Sequence, residues 1–176
     1  MFGYDCIYVK RCELFNCLKR GDKVVVVFMG PCCTGKSSVA ELIREKTNIQ
    51  VVTGKDYLRL STNEDEAWEL FLNKIETAIH ANPHSNDSII YIMDDAERVE
   101  DLLRIRGVQC VKFSATIDAI KDRYEARMQG ELPGVVVKML NRQKEAWDMV
   151  ECPIKIDSSQ TRKLLEMAQE VVDKLS

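Results

Sequence analysis

Residues 30 to 37 read Gly-Pro-Cys-Cys-Thr-Gly-Lys-Ser, a complete G-x-x-x-x-G-K-[ST] loop, and the segments on either side fix its meaning. An apolar run from Val24 to Met29 precedes it, long enough for a buried parallel strand. Ser38 to Lys46 follows, with Val39, Leu42 and Ile43 on one face of a helix. Strand, loop and helix in that order form the setting in which this loop binds phosphate. The glycines let the backbone wrap an anion with its N–H groups turned inward. The helix that follows aims its positive end at the same point. Gly30, Cys32, Cys33, Thr34, Gly35, Lys36, Ser37 and Ser38 are therefore the expected nucleotide-phosphate contacts. Lys36 would reach the β- and γ-phosphates of ATP, and the Ser37 hydroxyl would ligate Mg²⁺.

Strand and helix patterns alternate through the rest of the chain. Ile49 to Thr53 reads as a second strand, Glu64 to Ala81 as a helix stopped near Asn82-Pro83, and Asn82 to Asp87 as a loop. Ser88 to Met93 is a continuous β-rich run and so a central strand. Val99 to Ile105 predicts a short helix, Val108 to Phe113 a strand, and Ile117 to Met128 and Val135 to Trp147 two further helices. Ile154 to Ile156 reads as a last short strand, and Thr161 to Leu175 as a C-terminal helix. This order builds an α/β fold, a three-layer sandwich whose central parallel sheet carries helices on both faces. Residues 1 to 22 read as an N-terminal extension, with a short strand at Ile7 to Val9 and a helical face at Cys12, Leu14, Phe15 and Leu18. Residues 23 to 176 read as one domain.

A net charge of −3 argues against a broad nucleic-acid-binding surface and leaves room for a local basic groove. No run reaches the ~18 apolar residues of a membrane span. The first ten residues, with Asp5 among them, lack a secretory core. Seven scattered cysteines, an odd count, point to the reducing cytoplasm. Two of them, Cys32 and Cys33, lie inside the loop, where N–H groups and Lys36 could lower a thiol's pKa. The competing reading is that they are small residues filling tight space. His80 and His84 carry no assigned role, and Trp68 and Trp147 lie on helical faces that suit packing.

Ligands of such folds sit at the carboxyl ends of the strands. Strand two leads into Asp56, with Arg59 three residues on. A carboxylate there suits the orientation and deprotonation of an acceptor hydroxyl, and the arginine suits an anionic acceptor group. Capping of a helix is the alternative role for Asp56. The central strand ends in Asp94-Asp95, of which alternation lets one face the nucleotide. We assign Asp95 as the carboxylate that supports Mg²⁺ or the acceptor. Arg123 and Arg127, at i and i+4, share a helix face that could clamp a transferring phosphoryl group, or could be a solvated charged face.

Taken together, these motifs resemble the polynucleotide 5′-kinase-like group of P-loop kinases, to which the zeta-toxin kinases are more distantly similar. The likeness runs from residue 24 to about 160. It rests on the 20-residue interval from Lys36 to Asp56, on Asp56-x-x-Arg59, and on the apolar strand ending in Asp95-Ala96. It also rests on Arg123-x-x-x-Arg127 followed by Leu132-Pro133, Val135 to Met139 and Glu151-Cys152-Pro153. Ile156-Asp157-Ser158-Ser159 resembles the turn beside the adenine in many such kinases. The resemblance implies a P-loop NTPase fold of nucleoside-kinase type with a small helical lid at about 123–147. It implies Asp56 as catalytic base, Arg59 as acceptor ligand, and Arg127, then Arg123, as lid arginines on ATP. The acidic run Asn63-Glu64-Asp65-Glu66 departs from the basic lining expected of a polynucleotide tunnel. The expected activity is transfer of the γ-phosphoryl group of ATP, with Mg²⁺, to a small acceptor such as a nucleoside, nucleotide or sugar. A polynucleotide 5′-hydroxyl kinase and a non-catalytic nucleotide-binding regulator are the alternatives.

Overall fold

The structure, a computed structural model, describes residues 24–47, 49–80 and 88–175. The expectations for residues 1–22 and for the 82–87 loop lie outside the described residues. Five strands, β1 (Val25–Met29), β2 (Gln50–Val52), β3 (Ile89–Met93), β4 (Val108–Ser114) and β5 (Ile154–Asp157), form one sheet in the order β2-β3-β1-β4-β5. Every pairing is parallel, with Val25 opposite Ile89 and Val108, and Met29 opposite Met93 and Lys112. All five carboxyl ends therefore open on one edge, where the loop of residues 30–37 leaves β1.

Alternation assigns the two faces. Val25, Val27, Met29, Ile89, Tyr91 and Met93 point to one side, against Trp68, Phe71 and Ile75 of α2 (Glu64–His80) and Val99 and Leu102 of α3 (Val99–Arg104). Val26, Phe28, Ile90, Ile92, Val111 and Phe113 point to the other. There they meet Val39, Ala40 and Ile43 of α1 (Lys36–Thr47) and Met167, Ala168, Val171 and Val172 of α6 (Leu164–Leu175). Because both faces are covered, β1 and β3 are buried at every position, which is why they read as unbroken apolar runs.

A third, smaller core joins α4 (Ile117–Met128) and α5 (Gly134–Asp148) through Ile120 and Leu140. Cys32, Cys33, Tyr124, Leu132 and Val136 pack against it, so the loop of residues 30–37 is itself part of the surface on which these two helices rest. The Thr116 hydroxyl caps α4 by accepting from the Ala119 N–H at 3.3 Å. Asn63 caps α2, its side-chain oxygen accepting from the N–H groups of Asp65 and Glu66, each at 3.0 Å. Glu64, Asp65 and Glu66 then lie in the first turn, where the helix dipole favours negative charge.

The C-terminal helix starts at Leu164, three residues after the expected Thr161. Arg162 explains the delay, because its guanidinium donates to the Asp157 carbonyl at 3.0 Å and holds that stretch across the end of β5. The segment after β2 has an element that apolar periodicity gives no sign of, a 3₁₀ turn at Asp56–Arg59.

Candidate active site

Tight geometry builds the loop between β1 and α1. Gly30 has φ +139 and passes so close to β4 that a Cβ would stand 2.1 Å from the Phe113 carbonyl oxygen. Gly35 has φ +91, and its carbonyl accepts the Val39 N–H at 2.9 Å, the first bond of α1. Cys33 also takes a left-handed conformation, φ +56. Two side chains turn the loop's carbonyls inward. The buried Thr34 hydroxyl donates to Pro31 O at 2.8 Å, and the Lys36 ammonium donates to Gly30 O at 2.8 Å and Pro31 O at 2.6 Å. With the Gly30 and Pro31 carbonyls engaged from within, the loop amides other than that of Cys32, which donates to Gln143, are left to face an anion.

Lys36 is buried, and its third partner is a carboxylate oxygen of Asp94 at 2.8 Å. Burial depresses the lysine's pKa, and the half-exposed Asp94 opposes that shift. The carboxylate that meets the loop is thus Asp94, where the sequence reading assigns Asp95. Asp95 turns to the opposite face. It accepts from the Glu97 N–H at 2.9 Å and lies 3.9 Å from Arg98. Arg98 in turn pairs with Glu64 at 3.1 Å and Asp65 at 3.2 Å and lies over the Trp68 and Tyr57 rings. Ile90 and Ile92 face α1, so the next residue in phase is Asp94.

Asp56 stands in the 3₁₀ turn beyond β2. One carboxylate oxygen accepts from both the Thr53 hydroxyl, at 2.7 Å, and the Thr53 N–H, at 2.8 Å. These bonds, the hydroxyl's first, hold its pKa below the ordinary value. The second oxygen turns toward Arg59 at 3.7 Å, and the arginine side chain is largely exposed. The turn is tied to the central strand, since the Tyr91 hydroxyl donates to Gly54 O at 3.1 Å. A Cβ at Gly54 would stand 3.1 Å from Ile92 O, so the chain passes directly against the end of β3. Asp56 and Arg59 share the carboxyl edge with the loop, and no described contact joins them to it.

Arg123 and Arg127 both line a cleft of about 310 Å³ beside the loop. Cys33, Thr34, Gly35 and Ser38 form one wall, with Ser158, Arg162 and Met167 among the residues of the other. Arg123 is anchored. Its guanidinium donates to Cys33 O at 3.1 Å, to the Ser158 hydroxyl at 3.2 Å and to the Ser158 carbonyl. Arg127 is exposed at the same cleft. Burial, and next the neighbouring Cys33, push the Cys32 thiol up to about 11. Its thiolate is therefore scarce at neutral pH, and packing against α4 and α5 is the role its surroundings support.

Sequence reasoning also misses Gln143. Its side-chain oxygen accepts the Cys32 N–H at 3.0 Å. Leu140, Gln143 and Trp147 are spaced i, i+3, i+7, so a polar residue interrupts the buried stripe of α5, and that interruption was the available signal. Trp147 is fully buried and donates its ring N–H to Asp94 O at 3.3 Å, a packing role with one hydrogen bond. The hydroxyl of Ser37, exposed in the first turn of α1, and the carboxylate of Asp94, in contact with Lys36, are hard oxygen donors at the loop. That chemistry suits Mg²⁺, which is held by few protein oxygens together with phosphate and water. Among the described residues no cluster of three His, Cys, Asp or Glu side chains could hold a metal ion alone. No helix there is long and apolar enough to cross a membrane.

No protein-family profile matches the chain, and no curated protein matches it significantly. Solved structures do resemble it. A gluconokinase from Sinorhizobium meliloti 1021 is 18% identical, with 86% of this chain and 91% of that one covered and a TM-score of 0.55. A shikimate kinase from Acinetobacter baumannii in complex with shikimate is 10% identical, with 92% and 94% covered and a TM-score of 0.55. The YorR protein of Bacillus subtilis, in complex with phosphorylated GDP, is 15% identical, with 86% and 95% covered and a TM-score of 0.59. The fold is that of the small P-loop kinases. The likeness does not single out the polynucleotide-kinase group.

Proposed function

We propose that this chain is an ATP-dependent phosphotransferase that moves the γ-phosphoryl group to a hydroxyl of a small acceptor. The observation that carries this reading is Lys36, buried among the Gly30 and Pro31 carbonyls and Asp94 at the mouth of the loop, with a cleft of nucleoside size on the same loop. A volume of about 310 Å³ falls in the range of small-ligand pockets. The nucleoside takes that cleft, between Arg123 and Arg127 on one side and Met167 and the turn at Ser158 on the other. The loop amides, Lys36 and the start of α1 take the phosphates. Ser37 and Asp94 hold Mg²⁺, with Asp94 in the place that the sequence reading gives to Asp95. Such an ion would neutralise charge on the phosphate oxygens during transfer.

Asp56 is the general base in this reading, its carboxylate fixed in place by the two Thr53 bonds. Arg59 and Arg98 border the acceptor. Glu64 and Asp65 pair with Arg98 beside the end of β3, so this border is acidic. That charge supports a nucleoside, nucleotide or sugar over a nucleic-acid end, because a phosphate chain needs Lys and Arg along its path. The gluconokinase and the shikimate kinase that resemble this chain are named for small molecules. The test is transfer of label from γ-labelled ATP to a panel of nucleosides, nucleotides, sugars and a 5′-hydroxyl oligonucleotide at two salt concentrations. Labelling of a small acceptor is the expected result. Efficient, salt-sensitive labelling of the oligonucleotide alone would replace this reading with the polynucleotide-kinase one.

A further inference from the structure

We propose that Gln143 reads the terminal phosphate of the nucleotide and reports its presence to the lid helices. This rests on the nucleotide site proposed above.

Gln143 occupies one particular end of the loop. The nucleoside cleft is lined by Cys33, Thr34, Gly35 and Ser38. Cys32, Asp94 and Gln143 are not part of that lining, and lie at the end of the loop where the Lys36 ammonium meets Asp94. A phosphate chain that starts from a nucleoside in the cleft and follows the loop amides ends at this side. Gln143 therefore stands where ATP and ADP differ.

The second observation is the chemistry of its bonds. The partner of the Cys32 N–H must be an acceptor, and the partner of the Asp94 carbonyl must be a donor. A glutamine amide satisfies both at once, with its oxygen on Cys32 at 3.0 Å and its nitrogen toward Asp94 O at 3.4 Å. The second bond is long, and Trp147 already serves the same carbonyl at 3.3 Å. The amide oxygen is thus committed while the NH₂ group is loosely held, leaving donors for an anionic oxygen.

The third observation is the path onward. α5 packs on α4 through Leu140 and Ile120, and α4 carries Arg123 and Arg127. A bond between Gln143 and the γ-phosphate would bias the same helix pair that presents those arginines. Glutamate at 143 could keep the Cys32 bond but would set a negative charge against the phosphate. Methionine would keep the length of the side chain and remove both bonds.

The test is a calorimetric titration of ATP and of ADP, without acceptor, against wild type, Q143M and Q143E, with thermal melting run alongside. In Q143M the preference for ATP over ADP should fall about tenfold while ADP affinity holds, the worth of one hydrogen bond to a charged group. Q143E should lose more ATP affinity than Q143M and still bind ADP. Equal loss for both nucleotides, or no change for either, would overturn the assignment and leave Gln143 as a structural tie. Should Q143M fail to melt cooperatively, Q143E alone decides, since it keeps the bond to the loop. If wild type binds neither nucleotide, the phosphate-site reading itself fails, and this inference with it.

Discussion

Gly30→Ala tests whether the phosphate loop is built as described, because two separate costs fall on one methyl group. The φ of +139 belongs to glycine, and an alanine held there costs about 1–3 kcal/mol of backbone strain. The added Cβ would also stand 2.1 Å from Phe113 O and 3.1 Å from the Phe113 carbonyl carbon. Those are backbone atoms of β4, which pairs with β1 along the full length of that strand. Neither strand can yield without disturbing the ladder, and overpacking of this kind costs about 1–3 kcal/mol more. The expected loss is about 2–6 kcal/mol. For a domain of this size that is a fall in Tm of about 4–24 °C. Gly35→Ala is the matched control. Its φ of +91 is also strained, but its Cβ would meet only the flexible end of Met167, at 3.3 Å. Its Tm should fall by a few degrees, about half as far or less. Thermal melting followed by circular dichroism measures both variants. A Gly30→Ala protein that melts with wild type, or above Gly35→Ala, would refute the close passage of β1 against β4.

Two further pairs of variants separate the roles of the site residues. Arg123→Ala removes the bonds to Cys33 and Ser158, and should weaken nucleotide binding and lower Tm, whereas Arg127→Ala should cut kcat by about tenfold or more with nucleotide affinity nearly unchanged. Steady-state kinetics with nucleotide titrations check this, and the opposite pattern would exchange the two assignments. Thr53→Ala removes the bond that does most to depress the pKa of Asp56, so the Asp56 carboxyl should titrate at higher pH in carbon-detected NMR. The Thr53 bonds also stabilise the fold through the ionised Asp56 carboxylate. The contribution is complete above the ordinary carboxyl value of 3.8 and is lost as pH falls through the lower folded value, so Thr53→Ala should begin acid unfolding at higher pH. An unmoved Asp56 titration would contradict the Thr53 contacts.

The layered fold was legible because its signals are local. Val25–Met29 and Ile89–Met93 are buried on both faces and must be apolar throughout, and Gly30 ends the first and Asp94 the second. The choice between Asp94 and Asp95 needed one fact more, namely which face of β3 lies under α1. Gln143 and Arg123 were harder for a different reason. Gln143 meets Cys32 across 111 positions, and Arg123 meets Ser158 across 35, so each depends on how a helix docks. Neither distance is written in periodicity. The turn at Asp56 was short enough that Asp56 and Thr53 could make it with three hydrogen bonds, without an apolar pattern to announce it.

The central claim is that this loop holds ATP for phosphoryl transfer to a small hydroxyl acceptor. Phosphorus NMR of ATP and Mg²⁺ with wild-type protein and a mixture of nucleosides and sugars tests it most directly, with Lys36→Ala as the matched reaction. The account predicts that the γ-resonance decays as a phosphate monoester and ADP grow in, and that Lys36→Ala abolishes both changes. Orthophosphate without monoester would contradict transfer, and a Lys36→Ala protein that still forms monoester at the wild-type rate would contradict the site.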